Sequence, residues 1–124
     1  MIKGHGVDII KVNRVERMLN RFGKRFKARI YTEEEINYCM TASNKIESFA
    51  ARLAEKEAVY KVLRSELETL CWQEISVMME NRIPTVFLKG YAKEAAEEIG
   101  IETWYLSLSH ERDYAVASVI AEGG

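Results

Sequence analysis

The chain of 124 residues has only one proline and two cysteines, and it contains no low-complexity stretch and no internal repeat. Lys3, His5 and Asp8 interrupt the segment where a signal peptide needs an apolar run, and no apolar window of about 18 residues occurs. Cys39 and Cys71 lie far apart, outside any CxxC or Cys/His arrangement. The sequence therefore predicts no zinc site and no disulfide framework, and we expect a cytoplasmic protein with no membrane partner.

The composition is that of an ordinary globular protein, but the charged residues are unevenly distributed along the chain. A hydrophobic content of 48% with 30% charged residues suits one domain, which we expect to span residues 1–124. Residues 1–29 carry nine Lys and Arg against two acidic residues, which leaves nine against seventeen in the remainder, although the formal net charge is −1. This asymmetry indicates an anionic partner for the N-terminal part.

Hydrophobic periodicity and turn signals predict nine elements in the order β-α-α-α-β-β-α-β-β. The first is a strand over 2–10, followed by a helix over 13–27 with Asn13 as N-cap. A short helix begins at the capping box of Thr32 and Glu35 and is broken at 41–45, and a long helix runs from 46 to about 67. Then come paired strands over 72–79 and 85–88 around a turn at 81–84, a helix over 89–99 that stops at Gly100, and a hairpin of 103–109 with 114–121. Because hairpins replace βαβ crossovers, we predict an α+β fold in which a largely antiparallel sheet packs against the long central helix.

Isolated residues in this pattern carry only weak functional signals. Glu57 and Lys61 share one face of the long helix, which is also the spacing of an ordinary surface ion pair. Asp8 near the end of the first strand is equally compatible with a turn or a cap. His110 lies at the predicted hairpin turn, where it is either solvated or, oriented by Glu111, able to bind a phosphate as a cation.

Basic residues form a stripe beside the apolar face of the first predicted helix. Its members are Arg14, Arg17, Arg21, Lys24 and Arg25. Such a stripe is often a solvated face, but here only Glu16 balances it within the helix. The excess of positive charge favours an acidic macromolecule as partner.

The order of these signals resembles the holo-[acyl-carrier-protein] synthase family, the small trimeric branch of the 4'-phosphopantetheinyl transferases. Residues 4–10, GHGVDII, are similar to the family's opening G-x-G-x-D-I-x strand. Residues 52–58, RLAEKEA, followed by Lys61 resemble its R-[FW]-A-x-K-E-A-x-x-K signature, and residues 106–110 with Tyr114 and Ala115 resemble its closing hairpin. The resemblance covers nearly the whole chain.

The resemblance implies the family's fold and its reaction, the transfer of 4'-phosphopantetheine from coenzyme A to a serine of an apo acyl carrier protein. It implies that Asp8 and Glu57 bind Mg²⁺ together with substrate phosphate oxygens, a ligand set that suits this ion. Lys61 then neutralises phosphate charge, and the proton acceptor is Glu57 or a water. Further implied roles are coenzyme A binding by Arg52, Lys56 and His110, and docking of the carrier protein on the basic stripe. A homotrimer with active sites at subunit interfaces is implied as well.

The chain also departs from the family pattern, and other functions stay open at this point. Lys61 leads into residues 62–67, VLRSEL, without the family's glycine-rich loop, Leu53 replaces an aromatic residue, and the turn at 81–84 matches loosely. One alternative is a non-catalytic module that binds RNA or protein through the first helix, although near-neutral total charge disfavours nucleic acid. Another is a structural homologue without turnover. The sequence also leaves open whether the carrier serves fatty-acid or polyketide synthesis.

Overall fold

The computed structural model describes residues 1–124, and its elements follow the predicted order, except that four helices instead of three lie between the first two strands. They are β1 (Ile2–Lys11), α1 (Val12–Phe22), α2 (Lys24–Ile30), α3 (Glu33–Thr41), α4 (Lys45–Leu63), β2 (Ile75–Glu80), β3 (Ile83–Leu88), α5 (Gly90–Ile99), β4 (Thr103–His110) and β5 (Tyr114–Glu122). Every strand pairing is antiparallel: β1, β5 and β4 form one sheet in that order, and β2 pairs with β3. The α+β prediction with a largely antiparallel sheet is confirmed.

The long helix α4 lies at the centre of the core. It is buried on most sides, by the three-stranded sheet on one and by α1, α3 and β2 on others. The inward residues of β5 that face it are mostly small, namely Ala115, Ala117, Val119 and Ala121. Small side chains let a sheet approach a helix closely, so this sheet closes tightly over α4. No helix in the fold is both long and apolar enough to cross a bilayer.

Two glycines fix how closely β1 approaches α4. A Cβ added to Gly6 would lie 2.1 Å from the carbonyl oxygen of Ala58, and one added to Gly4 would lie 2.6 Å from Cγ1 of Val62. At Gly6 the neighbour is backbone and leaves no room for a side chain, whereas at Gly4 it is a side-chain methyl group that would have to shift. Both contacts show the close approach that glycine in a strand predicts. Gly6 and Asp8 share the face of β1 that points inward, so the contact at Gly6 also sets the position of Asp8.

The single helix predicted over 13–27 is wrong, because Gly23 breaks it into α1 and α2. Gly23 has φ 51° and ψ −120°, a conformation that residues with a side chain rarely adopt. Asn13 is not the N-cap either: α1 begins after Lys11, and no side chain caps its first turn. The apolar periodicity runs through both helices, and it conceals the break.

Three other boundaries differ from the prediction. Residues Trp72–Glu74 form a single 3-10 turn, so β2 begins only at Ile75. Asn81 and Arg82 both have positive φ and form a two-residue turn, which leaves Ile83 and Pro84 inside β3. The helix α4 ends at Leu63, about four residues before its predicted end. Its C-cap is Arg64, so no glycine terminates this helix.

A buried ion pair holds three elements together. Glu35 Oε1 accepts hydrogen bonds from Lys56 Nζ at 2.7 Å and from the backbone of Thr32 at 2.8 Å, while Oε2 accepts one from Val77 N at 2.9 Å. Both charged side chains are fully buried. Glu35 also completes the predicted capping box with Thr32, which is confirmed. The pair therefore links α3, α4 and β2.

We expect Lys56→Ala to lower the free energy of unfolding by about 3–5 kcal/mol, because it leaves the Glu35 carboxylate buried without its counter-charge. Urea unfolding followed by circular dichroism measures this. Lys93→Ala, at an exposed position on α5, is the matched control and should stay within about 0.5 kcal/mol. A loss for Lys56→Ala no larger than that of the control would contradict the role of the pair.

Candidate active site

Asp8 and Lys61 meet where β1 crosses α4. Lys61 Nζ donates hydrogen bonds to Asp8 Oδ1 at 3.0 Å and to the carbonyl oxygen of Val7 at 2.8 Å. Lys61 thus pairs across to the strand instead of forming the helix-surface pair with Glu57. The other carboxylate oxygen, Asp8 Oδ2, is buried and has no hydrogen-bond partner. An unpartnered buried carboxylate oxygen needs an explanation, such as an ion or a ligand that completes the site.

Glu57 lies beside Asp8, and the two are called the acid pair below. Burial raises the pKa of Glu57 to about 7, and the adjacent Asp8 carboxyl group adds to the rise. The positive charges of Arg14 and Lys61 oppose it. Two carboxyl groups and two cations therefore converge at one partly buried place, an arrangement found mainly at functional sites.

The acid pair has the chemistry of a magnesium site with few protein ligands. Carboxylate oxygens are hard ligands, and the unpartnered Asp8 Oδ2 is free to bind a cation. No group of three or more His, Cys, Asp or Glu side chains in the fold is placed to hold a metal ion. An ion at this site would therefore take most of its ligands from water or substrate, as Mg²⁺ commonly does.

A separate cavity of about 420 Å³, here called the α4 cavity, opens on another side of the central helix. It is lined by Tyr38, Ser48, Ala51, Arg52, Glu55, Met79, Pro84, Leu106, Ser107, Leu108 and His110. At its floor Arg52 Nη1 donates a hydrogen bond of 3.0 Å to Glu55 Oε1. Arg52 Nε, Arg52 Nη2 and Glu55 Oε2 are buried and have no partner. Burial raises the pKa of Glu55 to about 7 despite the opposing charge of Arg52.

At the rim of this cavity His110 pairs with Glu47, not with the predicted Glu111. His110 Nδ1 lies 3.0 Å from Glu47 Oε1 at the start of α4. Glu111 instead accepts hydrogen bonds from the backbone of Asp113 and Tyr114, so it shapes the hairpin turn. His110 is the last residue of β4. Glu47 could not be identified from the sequence as the partner of His110, because the two residues are 63 positions apart.

Lys56 does not offer its charge to a ligand in this structure. Its ammonium group is fully buried and bound by Glu35. Burial lowers the pKa of Lys56, and the charge of Glu35 counteracts that effect. The phosphate contact expected for Lys56 thus conflicts with the fold, in which this residue has a structural role.

The structure brings Asp8, Glu57 and Lys61 together, but it keeps Arg52 and His110 apart from them. Arg52 and Glu57 are five residues apart on α4, which turns their side chains about 140° from each other around the helix. No residue of the acid pair lines the α4 cavity. The predicted site residues therefore form two clusters on different faces of one helix.

The predicted basic stripe is exposed and lies beside an apolar hollow. Arg14, Arg17 and Arg21 are on α1, and Lys24 and Arg25 are on α2. A cavity of about 330 Å³ between these helices is lined by Met18, Phe22, Arg25, Phe26 and Arg29. Arg29 was missed because the predicted helix ended at Lys27. The stripe together with Arg29 is called the basic surface below.

The chain matches the model of one protein family and resembles several known proteins over nearly all of its length. Residues 4–119 match the 4'-phosphopantetheinyl transferase superfamily. The chain is 40% identical to the holo-[acyl-carrier-protein] synthase of Halothermothrix orenii, over 100% of both chains. The crystal structure of the Neisseria meningitidis holo-[acyl-carrier-protein] synthase has a TM-score of 0.88 at 32% identity, covering 98% of this chain and 99% of that one. The Helicobacter pylori enzyme in complex with coenzyme A has a TM-score of 0.79 at 27% identity, covering 96% and 100%.

The acid pair predicts a pH-dependent effect of Glu57→Gln on the stability of the metal-free protein. Unfolded Glu57 loses its proton near the ordinary pKa of 4.5, whereas folded Glu57 keeps it up to about 7. Its contribution to stability therefore falls as pH rises from about 4.5 to about 7, and it stays lost above that range. Glu57→Gln cannot lose a proton, so it avoids this loss of stability. The melting temperature of the variant minus that of the wild type should therefore increase as pH rises from 5 to 8.

Differential scanning calorimetry in a chelator measures this gain. Glu94→Gln on the exposed face of α5 is the control, and its difference from wild type should stay constant with pH. Parallel curves for Glu57→Gln and wild type would show that Glu57 titrates like an exposed carboxyl group.

Proposed function

This chain belongs to the 4'-phosphopantetheinyl transferase superfamily, and we propose that it transfers the 4'-phosphopantetheine group of coenzyme A to a serine of an apo acyl carrier protein. It is a transferase of the holo-[acyl-carrier-protein] synthase type, to judge from its full-length relatives. The products are the holo-carrier protein and 3',5'-ADP. The observation that carries the proposal is the convergence of Asp8, Glu57 and Lys61 where β1 crosses α4. A non-catalytic RNA-binding or structural role leaves that convergence unexplained.

The reaction replaces a phosphoanhydride bond of coenzyme A by a phosphate ester bond to the carrier. The serine oxygen of the carrier forms a bond to the β-phosphorus of coenzyme A, and the bond from that phosphorus to the oxygen of 3',5'-ADP breaks. Mg²⁺, held by Asp8 and Glu57, would supply electrostatic stabilisation of the charge on the phosphate oxygens. The serine proton passes to Glu57 or to a water beside it, because a proton acceptor must reach the hydroxyl group directly or through one water.

Lys61 and Arg14 supply the fixed positive charge in this mechanism. Lys61 is held by Asp8 and Val7, yet 40% of its side chain is exposed, so its ammonium group can also contact a phosphate. Arg14 lies close enough to lower the pKa of Glu57. Pre-placed cations of this kind stabilise the charge that accumulates during phosphoryl transfer.

The α4 cavity suits the nucleotide end of coenzyme A. It combines apolar walls with the basic side chains of Arg52 and His110, and we propose these two residues as coenzyme A ligands. The unpartnered nitrogens of Arg52 support a polar ligand at the floor. Lys56 is not kept as a ligand, because its ammonium group is buried against Glu35.

A homotrimer with its active sites between subunits accounts for the distance between the two clusters. Because the acid pair and the α4 cavity lie on different faces of one helix, the acid pair of one chain can face the α4 cavity of its neighbour, so that each site takes one cluster from each subunit. The outer face of the three-stranded sheet also exposes apolar side chains that an assembly would bury, namely Val7, Ile9, Tyr105, Tyr114, Val116 and Ile120. An exposed apolar face of this kind is typical of a subunit interface.

The basic surface is the docking site that we propose for the carrier protein. Exposed arginines surround an apolar hollow, which fits an acidic amphipathic helix. Arg14 belongs both to this surface and to the surroundings of Glu57, so a docked carrier would present its serine near the acid pair. The carrier serves fatty-acid or polyketide synthesis, and a cytoplasmic location agrees with two free thiols.

The direct test is the intact mass of an apo acyl carrier protein after incubation with the chain, coenzyme A and Mg²⁺. We expect the mass of the carrier to increase by one phosphopantetheine group, and we expect no increase when a chelator is present. Asp8→Asn and Glu57→Gln should each reduce the rate by about 100-fold or more, because each removes a carboxylate that acts on the transferred phosphate. Glu94→Gln on α5 is the control and should keep full activity. Transfer that persists in the chelator contradicts the magnesium site, and no transfer to any of several carriers contradicts the function.

Charge reversal tests the docking surface. Arg21→Glu and Arg25→Glu should each lower kcat/KM for the carrier about tenfold, with the KM for coenzyme A unchanged, because charge complementarity mainly governs association. The wild-type kcat/KM should also fall as NaCl is added. Lys93→Glu makes the same charge change on α5, and its kcat/KM should match that of the wild type. Equal losses for all three variants would show that net charge, not this surface, controls the rate.

A further inference from the structure

The floor of the α4 cavity contains a carboxylate that the proposed reaction does not use. Glu55 is fully buried, and its Oε1 accepts the 3.0 Å hydrogen bond from Arg52 Nη1. The second basic side chain of the cavity, His110, likewise has a carboxylate partner, with Glu47 Oε1 3.0 Å from its Nδ1. Each basic side chain of the cavity is thus paired with a carboxylate, so the cavity carries no large excess of positive charge.

Paired charges leave a particular hydrogen-bonding edge at the floor. Arg52 Nε and Nη2 are two donors without acceptors, and Glu55 Oε2 is an acceptor without a donor. All three atoms are buried, and the exposed ring of Tyr38 lies over the guanidinium, 4.5 Å from ring centroid to Cζ. For a ligand to reach these atoms, that exposed ring has to turn aside. Buried unpartnered groups are costly, which favours a ligand that satisfies donors and acceptor together.

A phosphate dianion and an uncharged heterocycle would interact very differently with Arg52 and Glu55 at this floor. A dianion offers acceptors only, and it would lie next to the Glu55 carboxylate in a poorly solvated place, where like charges repel strongly. The edge of adenine formed by N7 and the 6-amino group offers one acceptor beside one donor. That edge complements the N–H groups of Arg52 and the free oxygen of Glu55.

We propose that Glu55 is a specificity-determining residue, which makes the α4 cavity select the adenine base of the coenzyme and reduces the contribution of the 3'-phosphate to binding. The inference rests on the proposed function for the identity of the ligand. It predicts that the chain discriminates only weakly between coenzyme A and 3'-dephospho-coenzyme A. Removing the charge of Glu55 should release Arg52 to bind the phosphate and so create that discrimination.

Calorimetric titration of the Mg²⁺-loaded protein with 3',5'-ADP and with 5'-AMP tests this directly at pH 8, since the two differ only in the 3'-phosphate. For the wild type, the affinity ratio of 3',5'-ADP to 5'-AMP should be below about tenfold. Glu55→Gln, which keeps the shape and the hydrogen bond to Arg52, should raise that ratio by about tenfold, as expected for a hydrogen bond to a charged group freed from a competitor. Glu94→Gln on α5 is the matched control and should keep the wild-type ratio. The ratio of kcat/KM for the two coenzymes should change in parallel.

The possible results separate this inference from the proposed function. A wild-type ratio above about tenfold, or a Glu55→Gln variant with the wild-type ratio, overturns the role of Glu55 even if phosphopantetheine is transferred. A chain that binds neither nucleotide and transfers nothing overturns both. If Glu55→Gln does not fold, as circular dichroism would reveal, the wild-type ratio decides alone.

Discussion

The contact between the backbone of β1 and the backbone of α4 is the constraint on which the rest of the site depends. At Gly6 the strand lies so close to the helix that even a methyl group would overlap the carbonyl oxygen of Ala58. Two positions further along the same face, Asp8 meets Glu57 and Lys61. Had the strand been held away by side chains, two carboxyl groups would not share one partly buried place. The acid pair is therefore a product of backbone packing, and the raised pKa of Glu57 follows mainly from the burial that this packing causes.

The order and type of most elements followed from the sequence because those elements had local signals. The capping box of Thr32 and Glu35 and the glycine stop at Gly100 are local patterns, and both are found in the structure. The break at Gly23 was missed because a helix and a broken helix can share one apolar period. The short turn at Asn81 and Arg82 was misplaced because Pro84 suggested a longer turn, whereas an edge strand tolerates proline.

The candidate site was predictable only as a set of residues, without their pairings. The signature over residues 52–61 singled out Arg52, Lys56, Glu57 and Lys61 alike, since sequence spacing carries no information about which side chain becomes buried. Burial then separated them. Lys56 meets Glu35 across 21 residues, and Lys61 meets Asp8 across 53. Glu47 drew no attention because its partner His110 is 63 residues away. Glu55 lies only three residues from Arg52, a spacing that the sequence does show, but its burial is visible only in the structure.

The central position of α4 explains why one helix carries two different clusters. A helix that packs against the core on most sides has side chains accessible to substrate only where its neighbours leave part of its surface exposed. Its polar residues must therefore either pair inside the protein, as Lys56 does, or lie on such an exposed part, as Lys61 does. β1 is an edge strand, and Val7 and Ile9, which flank Asp8, point outward from the sheet. In the proposed trimer, covering that outer face would bring a second chain beside the acid pair, so burial of apolar surface and completion of the active site would occur in the same step.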